Sequence, residues 1–479
     1  MKSRTDTRIS RRSFLTGGAA TAAALTVPVI VPRHVLGGNG IVAPSGRLTI
    51  AGVGIGGFGG YQIRMLAKAG FQVEALCDVD DAYAAHTYRE YRKARRYRDY
   101  REMLTAEGDK IDAVYCGTPD HLHAFVVQAA LAKKKHVCCV KPLTRSIEEL
   151  NVLVEAAHEA GVATQVTATS YSREMGCRER EIVASGILGD IVEVHAWSRR
   201  PLWPAGMLNY PSFADKVPAS LDWDLWLGPA ERRPYAAKWP KDSVFLGLPY
   251  QRPGNRAVYH PYNHRSWFEF GSGALGDMGC HWANTIYKAL DLDRPTLVTA
   301  HSTNVSRVSY PLACQVAFDF PKRGNFPELR FVWSDGGITP PTPKELGAEM
   351  LPKEGVLYIG TKAKMLIDVE DDRCLRILDE KLDRQARTLP RTLERHESIW
   401  SEFLTACKGG ERAGCDFDWA RRITEFVLLG NLALRTGKPV AYDPVKVCVK
   451  GNAAANDLLR LRYHNGYRLG NKSSGWWFF

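Results

Sequence analysis

A chain of 479 residues and 53.4 kDa is too long for one ordinary hydrophobic core, so more than one domain is expected. A composition of 45% hydrophobic and 24% charged residues excludes a disordered or collagen-like polymer. The formal charge of +12 does not indicate a nucleic-acid partner: six basic residues against Asp6 precede residue 35, and the other bases are mixed with acids apart from the run Arg89–Arg101, read as a solvated helix face.

Residues 1–46 read as an export signal and linker. The stretch RISRRSFLTGGAATAAALTVPVIVP sets the pair Arg11-Arg12 before Ser13-Phe14-Leu15 and a weakly hydrophobic, Ala- and Gly-rich segment, an order similar to the twin-arginine type. The apolar part, Gly17 to Val31, is short and interrupted by Pro28, so no stable membrane span is expected. The signal implies a periplasmic or otherwise exported protein, folded before export and carried by the twin-arginine machinery. Eleven scattered cysteines without a CxxC pair imply buried apolar side chains rather than a disulfide framework.

After this linker, RLTIAGVGIGGFGGYQIRMLAKAGFQVEALCDVDD predicts a strand (Leu48–Val53), a glycine cluster, a helix (Tyr61–Ala69) and a second strand (Gln72–Cys77) ending at Asp78. GxGxxG between strand and helix, with an acid beyond it, is the dinucleotide-binding fingerprint. Two registers fit, Gly52/Gly54/Gly57 and Gly54/Gly56/Gly59, and the second leaves a full-length strand before the turn. Gly54, Ile55, Gly56, Gly57, Phe58, Gly59 and Asp78 are therefore candidate cofactor residues. A carboxylate at Asp78 suits the ribose hydroxyls of NAD and would repel the 2′-phosphate of NADP.

Alternation continues through Ile111–Cys116, the loop GTPDHLH, a helix at Ala124–Lys133, the strand His136–Val140 and a helix from Ser146. The pattern predicts an α/β doubly wound parallel sheet, a Rossmann domain over 47–166, with its ligand crevice at the carboxyl ends of the strands. Thr118, Pro119, His121, His123 and Lys141 fall at those ends and join the cofactor candidates. His121-x-His123 has no third ligand nearby, so no metal is expected.

Farther on, SGALGDMGCHWANTIYKAL places Asp277 and His281 four residues apart, on one helix face. By itself this spacing also fits a capping acid and a packing histidine. Seven tryptophans between Trp197 and Trp282 suit either sugar stacking or a core. The terminal GWWFF is apolar and expected to dock on the protein or a partner subunit.

Taken in order, GIGGFG, Asp78, TPDHLH, CVKPL and GALGDMGCH make the chain from Arg47 to about residue 445 resemble the Gfo/Idh/MocA oxidoreductase family. Three further stretches, LDWDLWLGPAERRPY, HPYNHRSWFEFGSGALGDMGCH and SDGGITPPTPKEL, resemble an exported branch of it. The resemblance implies an α+β domain with a large, mostly antiparallel sheet over 167–450, followed by a tail at 451–479. It also implies an NAD(H)-dependent oxidoreductase, an assembly of identical subunits, and a small carbohydrate substrate held between that sheet and the nicotinamide.

It further implies that Lys141 hydrogen-bonds the reacting hydroxyl, that His281 is the acid–base group and that Asp277 supports it, with all three in catalysis and substrate binding. Tyr262, Arg265 and Trp267 stand nearest the motif and are the further substrate candidates. Relatives with the same first step include glycoside hydrolases that oxidise a ring hydroxyl transiently, and a non-catalytic sugar-binding protein is a third reading. Two departures stand out: Val140 replaces the motif glutamate before Lys141, and Asn284 occupies a position that is acidic in many relatives.

Overall fold

Runs such as Thr49–Val53 (TIAGV) and Ala113–Cys116 (AVYC) have no polar face, and a parallel sheet covered on both sides is what buries them. The computed structural model, which describes residues 47–169, 171–247, 251–304, 306–369 and 375–470, contains that sheet. Its strands are β1 (Thr49–Val53), β2 (Gln72–Cys77), β3 (Arg95–Tyr97), β4 (Ala113–Cys116), β5 (His136–Val140) and β6 (Thr164–Thr167), all parallel in the order β3-β2-β1-β4-β5-β6. Helices α1 (Phe58–Ala69), α2 (Asp81–Glu90), α3 (Tyr100–Glu107), α4 (Asp120–Ala132) and α5 (Ile147–Ala160) make the crossovers. The start of α5 is fixed by a capping box between Ser146 and Glu149.

Helix α6 (Glu174–Ala184) leads into a second sheet with a different pattern. Strand β9 (Cys314–Phe320, CQVAFDF) alternates buried and half-buried residues, as expected when only one face meets a core. With β7 (Ile191–Trp197), β8 (Leu297–Ser302), β10 (Leu329–Ser334), β11 (Gly355–Gly360), β12 (Lys364–Asp368) and β13 (Leu375–Ile377) it forms the order β13-β12-β11-β7-β10-β9-β8. Only β7 and β10 run parallel; the other pairs are antiparallel. A Rossmann sheet followed by a mostly antiparallel one is the architecture the family resemblance implies.

Between β7 and β8 the chain is largely irregular and is held by an aromatic cluster that includes Trp223 and Trp226 of the short helix α7 (Trp223–Leu227), with Trp239, Tyr259, Trp267 and Phe270. Helix α8 (Cys280–Leu290) precedes β8, and α9 (Glu380–Arg387) follows β13. The chain then returns to the first sheet. In α10 (Ile399–Cys407), Phe403 stacks on Phe71 at 5.5 Å, and α11 (Phe417–Thr436) packs on α5, β6, β8 and β9. After α12 (Ala453–Leu458), the Leu459 carbonyl accepts from Glu148 N–H at 3.1 Å, and the Gly470 carbonyl accepts from Gln128 at 3.0 Å. One continuous core therefore runs from Ala51 and Val114 through Phe318 and Phe331 to Leu459. Among the described residues no helix is long and apolar enough to cross a membrane. The export signal and GWWFF lie outside the described residues.

Candidate active site

A cavity of about 680 Å³ opens along the carboxyl ends of the parallel strands, a size typical of ligand sites. One end is the glycine turn after β1. Gly54 has φ +73°, and a Cβ there would stand 2.6 Å from Thr118 N; a Cβ on Gly59 would overlap the Gly54 carbonyl oxygen. A left-handed turn and a close helix–strand approach are what the first and third glycines of the fingerprint provide, in the register Gly54/Gly56/Gly59. The phenol of Tyr83 lies against Gly56 and Gly57. This leaves the turn bare enough for a pyrophosphate at the start of α1 only where that ring permits.

Asp78 ends β2 in the cavity wall. Its Oδ2 accepts from Ile55 N–H and Gly56 N–H, both at 2.9 Å, and its Oδ1 from Asp80 N–H at 3.0 Å. The carboxylate thus pins the glycine turn as well as facing the cavity. Burial raises its pKa against the pull of these backbone donors and of His260.

Of the other cofactor candidates, Gly54, Gly56, Gly57, Phe58, Gly59, Thr118, Pro119 and Lys141 line the cavity. Three do not. Ile55 is fully buried beneath the turn. His121 is turned to carbonyls, with Nε2 2.8 Å from Trp226 O, the shorter contact, and Nδ1 3.4 Å from Phe270 O. Burial pushes its pKa down to about 3. His123 ties two loops together, Nδ1 on Pro142 O at 2.8 Å and Nε2 on Thr118 O at 2.9 Å. The ligand atoms of Cys116, His123 and Cys139 lie within 4.8 Å of one another, with a carbonyl oxygen beside each His123 nitrogen, only one of which a singly protonated ring can donate to.

At the other end of the cavity a π-helical turn, Leu275–Gly279, precedes α8 and carries Asp277. Such widened turns recur at functional sites. The Lys141 ammonium at the end of β5 donates to both the Asp277 carbonyl and Oδ1, the latter at 3.0 Å. Arg265 Nε donates to the same Oδ1 at 2.8 Å, and Arg200 Nε lies 3.2 Å from Oδ2. Burial alone would raise the Asp277 pKa; Lys141, Arg265 and Arg200 instead hold it well below the usual carboxylate range. Arg200 also reaches Glu354 at 2.6 Å, which fixes it from the second sheet.

His281 lines the same end. Its hydrogen-bond partner is not Asp277, as the resemblance implied, but Thr169, which follows β6. Thr169 N–H donates to His281 Nδ1 at 3.0 Å, and Thr169 Oγ1 lies 2.9 Å from the same nitrogen. Burial, reinforced by Lys141 and Arg200, pushes the His281 pKa down to about 3; Asp277 opposes this through charge. Tyr262 and Arg265 line the cavity, with the guanidinium 4.5 Å from the Tyr262 ring centre. Trp267 does not: it is fully buried, stacked on Tyr210, with its N–H on Val258 O at 2.9 Å. An indole with a satisfied N–H inside an aromatic cluster is a core anchor. Sequence reading missed Arg200 and Thr169, which no local spacing marks.

Residues 8–28 match the twin-arginine translocation signal, and residues 48–168 match the Gfo/Idh/MocA oxidoreductase family, NAD-binding Rossmann fold. An inositol 2-dehydrogenase of Pseudarthrobacter chlorophenolicus is 30% identical over 180 residues, 36% of this chain and 52% of that protein. The chain thus spans about half the length of the curated relatives it matches, or less. The WlbA dehydrogenase of Bordetella pertussis, solved with NADH and UDP-GlcNAcA, superposes with a TM-score of 0.57 at 15% identity, covering 83% of this chain and 99% of that one. An aldose-aldose oxidoreductase of Caulobacter crescentus, complexed with glycerol, gives 0.53 at 15% identity, covering 82% and 99%. At such identities the structural likeness speaks for the fold alone. Residues 48–168 are therefore a Rossmann domain of the Gfo/Idh/MocA, NAD-binding oxidoreductase type, and residues 8–28 mark the chain for twin-arginine export.

Proposed function

We propose that the protein oxidises or reduces a hydroxyl-bearing carbon of a sugar, glycoside or polyol with NAD(H), using Lys141, Asp277 and His281. The observation that carries this reading is that one continuous cavity joins the Gly54–Gly59 turn and Asp78 to Lys141 and His281. The turn fits the dinucleotide fingerprint because Gly54 and Gly59 allow the left-handed turn and the close approach of α1, and the Tyr83 ring at Gly56 and Gly57 would swing aside for a pyrophosphate. Asp78, in the cavity wall with both oxygens already accepting backbone N–H groups, would offer its remaining lone pairs to the adenosine ribose and disfavour a 2′-phosphate. NAD, when bound, supplies the acceptor for the hydride that leaves the substrate carbon.

The chain's own residues do the rest. Asp277 holds the Lys141 ammonium in place, and Arg265 and Arg200 hold Asp277. Lys141 and His281 are then the groups that meet the reacting oxygen, with Tyr262 and Arg265 beside them. Prepositioned groups of this kind do not reorganise during the reaction. Nucleotide is scarce outside the cytoplasm, so tight binding and recycling by a second substrate complete the reading.

The test is mass spectrometry of the purified protein after mild denaturation, followed by absorbance of NADH with a panel of polyols, aldoses and glycosides. Co-purified NAD and reduction by at least one polyol or sugar are expected. Co-purified NADP, or NAD that no member of the panel reduces, would overturn the reading. Release of an aglycone with NAD unchanged at the end would place the chain with transient oxidisers instead.

A further inference from the structure

The hydrogen bond on His281 Nδ1 decides which proton the ring can carry. A backbone N–H can only donate, so the nitrogen that receives the Thr169 N–H at 3.0 Å must present its lone pair. In the neutral ring the single proton is then on Nε2, the nitrogen left for the cavity. An Nε2 that already bears a proton has no lone pair for the proton of a substrate hydroxyl.

Thr169 is not placed by chance. Its carbonyl accepts from Asn284 Nδ2 at 2.6 Å, and Asn284 Oδ1 accepts from the Trp419 indole N–H at 2.6 Å. Asn284 lies one helical turn beyond His281 in α8, and Trp419 is in the first turn of α11. The indole is donor only, so it fixes the Asn284 amide with oxygen toward Trp419 and nitrogen toward Thr169. The amide in turn orients the Thr169 peptide with its N–H on the imidazole. An acid at position 284 could not donate to the Thr169 carbonyl, which gives the departure at Asn284 a role in this chain.

We propose that Trp419, Asn284 and Thr169 form a positioning relay that locks His281 as the neutral Nε2–H tautomer, so that His281 donates a hydrogen bond to the reacting oxygen and does not take its proton. This rests on the proposed hydroxyl oxidation. Lys141, the ammonium that Asp277 holds, is the proton donor that remains in the reducing direction. There the C–H bond would form from the hydride that NADH supplies when bound, the carbon–oxygen double bond would open, and the O–H bond would form as the Nζ–H bond breaks, leaving the amine. Oxidation is the reverse of each change. A neutral histidine that polarises a carbonyl is an established catalytic pattern. Burial and the cations Lys141 and Arg200 also favour the neutral ring, against the opposing charge of Asp277.

Ring-nitrogen NMR of the full, exported chain labelled with 15N-histidine reads the tautomer without any substrate, so its outcome is independent of whether a sugar is oxidised. The His281 signals are assigned by their loss in His281→Gln. The expected result is a protonated Nε2 and a bare Nδ1, unchanged from pH 5 to 9. Thr169→Val, which keeps the backbone N–H, should retain the tautomer; Asn284→Leu should admit the Nδ1–H form. A wild-type ring protonated on Nδ1, or one that titrates near pH 6.5, would overturn the proposal. In single-turnover NAD reduction by a sugar that turns over, His281→Gln, which still donates, should stay within about tenfold of wild type. A loss of 10²–10⁴-fold, the usual worth of an acid–base group, would overturn it as well.

Discussion

At Asp277 one buried carboxylate answers three cations, and the consequence of removing its charge follows from that imbalance. Asp277→Asn keeps the shape but leaves Lys141, Arg265 and Arg200 facing one another, with Glu354 beside Arg200 and Asp120 acting on Arg265. Removing one partner of a buried ion pair typically costs about 3–5 kcal/mol. The variant is therefore expected to unfold at clearly lower urea concentration, whatever it does to catalysis. A loss below about 1 kcal/mol would mean that the three cations do not depend on this carboxylate. The spacing in GALGDMGCH correctly brings Asp277 and His281 to one cavity. Their separate partners were not legible, because the contact between Thr169 and His281 joins residues 112 apart. No local pattern encodes a backbone donor at that distance.

Helix α1 shows why the first sheet was readable and where the reading stopped. Unbroken apolar strands and a glycine turn announce a parallel sheet, but the helix begins at Phe58 rather than at the expected Tyr61, with Gly59 and Gly60 inside it. Glycine is a poor helix former, and here the need for close packing on β1 overrides that propensity. The two glycine positions should respond differently to substitution. In Gly59→Ala the new methyl meets the backbone carbonyl of Gly54, whereas in Gly56→Ala it meets the ring of Tyr83, which can swing away. Overpacking against fixed atoms costs about 1–3 kcal/mol or more, so Gly59→Ala is expected to lower the melting temperature markedly and erase the shift that NAD gives. Gly56→Ala should cost less than about 1 kcal/mol. Equal melting temperatures would refute the assignment of Gly59 as the packing glycine. In the second sheet, β7 pairs with β10 and β11 from distant sequence, and only the family resemblance anticipated it.

Over the whole molecule, buried ionisable groups set how the protein responds to acid. His121 and His281 are pushed to about 3 by burial, and His264 well below the ordinary value, also by burial first. The unfolded chain protonates these rings below about pH 6.5 while the folded one refuses, so each adds a loss of up to about 1.4 kcal/mol per pH unit as pH falls. Burial works in the other direction on Glu179, raised to about 7, and Asp335, raised to about 6. These bind protons only when folded, so they withdraw stability as pH rises through about 4 to 7. Burial also lowers the pKa of His136 and His195 and raises that of Asp78 and Glu149, so five rings stand against four acids and the rings prevail by one. Stability is expected to peak near pH 7 and to fall by roughly 1.4 kcal/mol per unit between pH 6.5 and 5, as denaturant melts at these pH values would show. A flat profile there would mean that the histidines are protonated in the fold. The returning carboxyl-terminal residues, finally, place a clock on export. The Gln128–Gly470 hydrogen bond spans 342 residues, and Leu459 and Phe403 also close on the nucleotide-binding half. The signal at residues 8–28 leaves the ribosome long before those partners exist. A route that carries folded cargo must therefore wait on translation of the far end, and a nascent chain of this protein is an addressed parcel that cannot yet be sealed.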